Sequence, residues 1–537
     1  MLSLLPLAVV SWIACAGVVA LLPEDFSNPS PQVQKALRDF QSGQHSSAVE
    51  AFKAQAEAGD ANAQYAYGVC LELGLGVARD FPRAEKFFRQ AATKNHRAAQ
   101  TALGMMLTMA GLPAEVHTQG VSWLQKAADA GDLKAARQLG DFYVTRFQTD
   151  PKTRAAEMKK ARELFEKGAQ RGDSEAKYRL GLMIEEGVTG EKPDVERGVK
   201  LIEEAAKEGS VEAMVSLGRQ YQSGVQVKQD LEKARAYYED AVKAGRHREA
   251  QFSLGKLYEE GLGVTKDPDR AVFYYRQAAE QKHPDSLVQL GICYDNGLGV
   301  ERDEKLAVGY FEQAAAVGSG LGMFNVAVCH DLGKGGLKTD PAEAAKWMIK
   351  AADADYPLAM NELGMRYKDG QGVLKDTTAA VAWFDKAVTV HRFPAAQLNL
   401  GTMFELGVAV PQSYDRAMEL YTLAAMAGRP DAKHMLARLF LNGLGAPRDS
   451  AKAYVLLSEA AIEGYQPAIE TKERLEKDLK PEELAKAREM LDKIKAGGEK
   501  IVESRPPESS LDASPPDPET RKKEKKGEKP ATVRKVR

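Results

Sequence analysis

An all-α solenoid superhelix of about eleven stacked helix pairs is the fold class this sequence predicts, and three observations predict it. A glycine, in most units directly after leucine, recurs at Gly68, Gly104, Gly140, Gly181, Gly218, Gly255, Gly291, Gly364 and Gly401, with Ala327 and Ala437 in the two gaps. The spacing is 36 or 37 residues, except for 41 between Gly140 and Gly181, where the additional residues fall in a polar stretch around Thr149 to Thr153. Around these positions apolar residues recur at helical spacing, and no run alternates at the period of two that marks a half-buried strand. A fixed period of this length identifies a repeat architecture, and insertions belong in the loops between units.

The first helix of each pair shows as a stripe. Ala250, Leu254 and Tyr258 lie at i, i+4 and i+8, as do Ala359, Leu363, Tyr367 and Ala396, Leu400, Phe404. A glycine beside the leucine lets a neighbouring helix come close, and each buried Leu or Tyr contributes roughly 1.5–3 kcal/mol. The turn reads Gly-x-Gly-Val at 74–77, 261–264, 297–300 and 370–373, where glycine can end a helix in the left-handed region. The second helix is announced by Asp at positions 80, 230, 267, 303, 376 and 449, a residue that accepts hydrogen bonds from the unsatisfied N–H groups of a first turn. Its buried face runs Ala271, Tyr274, Tyr275, Ala278, Ala279 in one unit and Ala307, Tyr310, Phe311, Ala314, Ala315 in the next.

Composition bounds the functional classes. The chain of 537 residues is 44% hydrophobic and 28% charged, with a formal net charge of −2, the profile of a helical globular chain. Residues 521–537 carry nine Lys or Arg against Glu524 and Glu528, a net +7, so the remainder carries −9. An acidic body does not track a phosphate backbone, and no nucleic acid is expected on it. Residues 1–22 hold no charged side chain and are followed by Pro23, Glu24 and Asp25, the outline of an export signal or, at that length, a membrane anchor. With no Asn-x-Ser/Thr acceptor in the sequence, the expected location is the bacterial periplasm or cell envelope, with a cleaved signal preferred to an anchor. Cys15 imitates a lipid-attachment box weakly, because Trp12 stands where leucine is usual. From Gly497 onward the pattern stops, and Pro506, Pro507, Pro515, Pro516 and Pro518 among Ser and Glu read as a disordered tail.

These motifs resemble the Sel1-like repeats, relatives of the tetratricopeptide repeat with a longer inter-helix turn. The resemblance covers 61–465, with a capping helix pair expected at 32–60, closing helices at 466–496 and the tail at 497–537. The second unit departs from the pattern, having Gly111, Leu112 and Pro113 in place of the glycine turn. The resemblance implies a scaffold for protein–protein interaction serving assembly, secretion or signalling. Two other readings stand beside it: an envelope hydrolase related to a cysteine-rich Sel1-like branch, and a binder of anionic polymer or nucleic acid through the basic tail. The hydrolase reading lacks that branch's paired cysteines.

No catalytic, metal or cofactor site is expected. Cys70, Cys293 and Cys329 share one register position, which Met106, Met183 and Leu257 fill in other units, so they read as core thiols. The eight histidines form no metal-ligand pair, and Gly318, Gly320 and Gly322 follow no strand. If the first helices line the inner face, as the resemblance implies, two rows project into a groove for a protein or peptide partner. Three residues before the repeat glycine stand Tyr65, Tyr178, Phe252, Phe324 and Leu398. Four after it stand Glu72, Glu185, Glu259, Asp295, Asp331 and Glu405. The plainer reading is that the aromatics are half-buried packing and the acids a habit of the repeat. The sharper reading of the tail is attachment to anionic envelope polymer or membrane; the oligomeric state is left open.

Overall fold

Leucine and alanine stripes at helical spacing become helices throughout. The computed structural model describes residues 26, 28–145, 151–188 and 192–495; the segment 1–22 with Cys15, and the tail from 497, lie outside the described residues. Among the described residues there are 26 α-helices and no strand, and the chain is an all-α solenoid. It divides into two units, Met1–His283 and Pro284–Arg537.

The first unit opens with α1 (Pro31–Gln41) and α2 (His45–Glu57), followed by α3 (Ala61–Leu73), α4 (Phe81–Thr93), α5 (Arg97–Leu107) and α6 (Ala114–Asp129). It continues through α7 (Leu133–Thr145), α8 (Pro151–Gln170), α9 (Ser174–Glu186) and α10 (Val195–Lys207). It ends with α11 (Val211–Ser223), α12 (Leu231–Gly245), α13 (Arg248–Glu260) and α14 (Pro268–Glu280). The second unit runs α15 (Pro284–Asn296), α16 (Glu304–Ala316), α17 (Gly320–Leu332), α18 (Pro341–Asp353), α19 (Pro357–Asp369) and α20 (Thr377–His391). Its last helices are α21 (Pro394–Leu406), α22 (Tyr414–Met426), α23 (Pro430–Asn442), α24 (Ser450–Ile462), α25 (Gln466–Asp478) and α26 (Pro481–Lys495). Within each unit a first helix packs on its own second helix, and that second helix packs on the next first helix.

The repeat glycine does more than admit a neighbouring backbone. In most pairs a large side chain of the second helix lies where a Cβ would be: Phe88 on Gly68, Phe165 on Gly140, Tyr238 on Gly218, Tyr275 on Gly255, Phe311 on Gly291, Phe384 on Gly364 and Tyr421 on Gly401. Where the glycine is Ala327 or Ala437, the second helix supplies Met348 or Leu457 instead, each buried in the same core cluster as its alanine. A methyl group and a flat ring compete for one volume in a close-packed interior, so both alanine units carry an aliphatic side chain there, as do two of the glycine units, Gly104 with Leu124 and Gly181 with Ile202.

The caps follow the sequence. Asp80, Asp230 and Asp267 each accept the backbone N–H three residues on at 3.0 Å, and Asp303, Asp376 and Asp449 do the same for their helices. The turn shows why two glycines are needed. Gly261 has φ +74° and closes α13 by donating to the Leu257 carbonyl at 2.9 Å. Gly263, also at positive φ, lies so that a Cβ would fall 2.7 Å from Leu231 Cβ, at the start of α12 in the preceding pair. The first glycine therefore ends a helix, and the second seats the turn on the previous repeat. In the second pair of the array, α5 is 11 residues long and ends at Thr108 with φ −101°, so that turn is built without a left-handed glycine cap.

Candidate partner-binding face

The row three before the repeat glycine is placed by α3, α9 and α13 in the first unit and by α17 and α21 in the second. Tyr65 and Tyr178 are buried at 7% and 5% exposure, whereas Phe252, Phe324 and Leu398 are half-buried. Three of these side chains meet the residue that leads into the next first helix. Tyr65 stacks on His96 with ring centroids 4.9 Å apart, Phe252 lies 4.9 Å from His283, and Phe324 meets Tyr356 edge-on at 5.7 Å. The same register uses polar pairs elsewhere: Thr101 donates to Asp132 at 2.8 Å, and Arg137 Nη1 donates to both carboxylate oxygens of Asp173, at 2.7 and 2.8 Å. The row is thus one side of a joint between successive repeats as well as a surface.

His96 illustrates the electrostatics of that joint. Burial pushes its pKa down to about 4, so the ring is neutral; Nδ1 accepts the Ala99 N–H at 3.2 Å and Nε2 faces Asn62 Oδ1 at 3.2 Å. Burial also lowers the pKa of His247 and His434. The neutral imidazole of His96 thus serves as both a flat packing surface and a cap.

The acidic row is engaged rather than presented. Glu259 accepts the Tyr275 hydroxyl at 2.7 Å and Lys256 at 2.9 Å. Glu405 accepts the Tyr421 hydroxyl at 2.7 Å and a hydrogen bond from Arg438. Asp295 holds Lys334 at 2.6 and 2.9 Å, and Asp331 holds Arg366. Glu185 accepts both bonds from Gln220, at 3.0 and 3.1 Å, and burial pushes its pKa up to about 7. Glu72 is raised by burial against the pull of Lys134 and Arg79. The other five carboxylates tie a first helix to its own second helix through a phenol, or to the next repeat through a cation or amide.

Sequence reasoning passed over the caps of the first helices. Asp60, Asp132, Asp173, Ser210 and Ser319 cap α3, α7, α9, α11 and α17, and the signal was an Asp or Ser directly before each stripe. It also passed over Phe26, which precedes the periodic region yet is buried at 9% against Tyr65. The three cysteines are buried thiols, as their register implied.

The architecture defines a class: helix-pair repeat solenoids of the tetratricopeptide type, whose stacked repeats build extended binding surfaces. The family model described as Sel1 repeat matches residues 61–96, 97–132, 134–173, 174–210, 211–245, 248–283, 284–319, 320–356, 357–389, 394–428 and 430–465. The chain belongs to the Sel1 repeat family. Among individual proteins it is similar to Protein SHC1 of Saccharomyces cerevisiae, 33% identical over 136 residues, 23% of this chain and 25% of that one. It is also similar to the alginate biosynthesis protein AlgK of Pseudomonas syringae pv. tomato, 28% identical over 155 residues, 28% of this chain and 32% of that one. The chain thus spans about a quarter to a third of these relatives' length. Among solved structures it is similar to c5321, a protective antigen of uropathogenic Escherichia coli strains, with TM-score 0.49, 25% identity, and 91% and 99% of the two chains covered.

Proposed function

We propose that this chain is an exported scaffold of the bacterial cell envelope, which holds a segment of another protein along its first-helix face and so serves assembly, secretion or signalling. The observation that carries the reading is that Sel1 repeats fill residues 61–465, so the side chains the repeats present are the surface on which the protein acts. Export is supported by the uncharged residues 1–22, and an envelope setting by the similarity to AlgK, named for alginate biosynthesis. The half-buried Phe252, Phe324 and Leu398 supply anchoring area, since aromatic and aliphatic anchors carry most of the affinity of such contacts. The acids, already paired, contribute register more than charge.

The test has two parts. Fractionation of a bacterium expressing the full chain should place it in the periplasm or envelope; recovery in the cytosol alone overturns the location. A partner recovered from envelope extract should lose affinity for the variant with Phe252→Ala and Phe324→Ala, while both proteins keep their melting curves. Unchanged affinity removes the partner from this face. A second reading rests on the net +7 of residues 521–537: the tail attaches to anionic polymer or membrane. Deletion of those residues should then abolish salt-sensitive retention on anionic vesicles.

A further inference from the structure

The chain seats one of its own aromatic side chains on the face just described. Phe26 lies ahead of α1 in non-helical backbone, and its ring packs 5.8 Å from Tyr65 and, edge-on, 6.4 Å from His96. The seat is a wedge of three rings. Tyr65 stacks on His96 at 4.9 Å and 29° and rests on Phe88 at 6.1 Å and 42°.

The same wedge recurs later in the first unit. Phe252 lies 4.9 Å from His283 at 37°, and 5.8 Å from Tyr275 at 38°. The sequence intervals are identical: 31 residues from Tyr65 to His96 and from Phe252 to His283, and 23 from Tyr65 to Phe88 and from Phe252 to Tyr275. Both histidines are buried, at 8% and 5%. Beneath Phe26, Tyr65 is buried; Phe252 is half-buried. Aromatic pairs prefer offset or edge-on contact at centroid distances of about 4.5–7 Å, and this wedge offers a third ring both.

We propose that Phe252 and His283 form a docking slot for an aromatic side chain on an extended segment of a partner protein, as Tyr65 and His96 do for Phe26. The proposal rests on the reading that the first-helix face holds a partner segment, and names the anchor that segment carries. Because Phe26 itself stands outside any helix, the slot asks for one ring and little else of its occupant.

The probe is a labelled peptide of residues 23–30, with a second peptide in which the phenylalanine is alanine, titrated against the full chain. The phenylalanine peptide should bind saturably and the alanine peptide should not. Phe252→Leu, which keeps apolar volume but removes the ring, should weaken binding by about five- to tenfold with an unchanged melting curve. His283→Asn serves as the second variant should the first melt early. Phe26→Ala should add one equivalent of peptide by opening the Tyr65 seat. No saturable binding up to about millimolar peptide, indifference to both variants, or no added equivalent in Phe26→Ala each overturns the slot. If an envelope partner loses affinity for the Phe252 and Phe324 variant while the peptide arm fails, the face holds a partner and the slot is wrong. If the peptide arm succeeds while that partner binds every variant equally, the slot stands and its use by that partner falls.

Discussion

The ring of Phe384 lies on Gly364 so closely that a Cβ there would sit 2.5 Å from its Cε1. Real Cβ contacts are not found at that distance, so Gly364→Ala must push α20 off α19 or drive Phe384 from its rotamer. Overpacking of this kind costs about 1–3 kcal/mol. The chain contains its own remedy, because Ala327 is matched by Met348. Gly364→Ala should lower the second unit's thermal transition, and adding Phe384→Met should restore most of the loss. A double variant no more stable than the single one would show that ring and glycine are not a matched pair.

The turn glycines should separate in the same way. Gly261→Ala places a side chain at φ +74°, whereas Gly263→Ala adds a clash with Leu231 in the preceding pair to its own φ of +65°. The first is expected to cost about 1 kcal/mol and the second about 2–3 kcal/mol, since a strained backbone and overpacking add. Amide exchange should show the difference: loosening confined to the end of α13 for Gly261→Ala, and extending to the start of α12 for Gly263→Ala.

Glu185 makes the first unit's stability depend on pH in an unusual direction. Its pKa is raised by burial from 4.5 to about 7, so between those values the folded chain binds more protons than the unfolded one. The stabilisation is fully present below about pH 4.5 and is lost as pH rises through about 7. Glu185→Gln, which keeps an acceptor for Gln220, should raise stability above pH 7 by on the order of 1 kcal/mol and flatten the slope. Part of the slope should persist, because burial also raises Glu175, beside Glu212, to about 7. Melting curves of both proteins from pH 5 to 8 check this: the neutral His96 and His247 add a slope of the opposite sign to both proteins, so the parent's stability relative to Glu185→Gln should fall across that range, and a relative rise contradicts the sign.

Burial pushes the Cys70 thiol up to about 12 and the Cys329 thiol up to about 11. Thiolate is the reactive form, so folded protein should take up iodoacetamide at these positions at least a hundredfold more slowly than denatured protein. Denaturation should release three reactive thiols from Cys70, Cys293 and Cys329. Fewer than three, with Cys15 separately accounted for, would contradict the core assignment.

Much of this architecture was legible because each device repeats within about 37 residues: the stripe of Ala250, Leu254 and Tyr258, the Asp caps and the glycine turn all act locally. What remained hidden acts across repeats. Asp331 reads as an acidic groove residue until Arg366, 35 residues later, is seen to hold it; Glu259 reads likewise until the Tyr275 hydroxyl is found 16 residues on. Pairing of that kind leaves no periodic signature, because Gln220, Lys334, Arg366 and Arg438 are chemically different answers to the same acid. Phe26 was illegible for another reason: it precedes the periodic array, and only the fold brings it to Tyr65.

The Asp331–Arg366 pair therefore belongs to stability. Arg366 is 6% exposed, and its Nη1 has no hydrogen-bond partner among the described residues, so the carboxylate of Asp331 is its main compensation. Removing that carboxylate leaves a desolvated guanidinium, which is expected to cost about 3–5 kcal/mol. Replacing both groups by apolar side chains of similar volume removes the charge along with its partner, and such exchanges are often neutral. Asp331→Leu alone should loosen amide exchange across α17 and α19, whereas Asp331→Leu with Arg366→Met should return it near the parent. The losses should also be insensitive to salt, since a pair this buried is poorly screened. If the double variant is as unstable as the single one, or if about 0.5 M salt weakens the parent as much as the mutation does, the pair is a surface ion pair and not a joint between repeats.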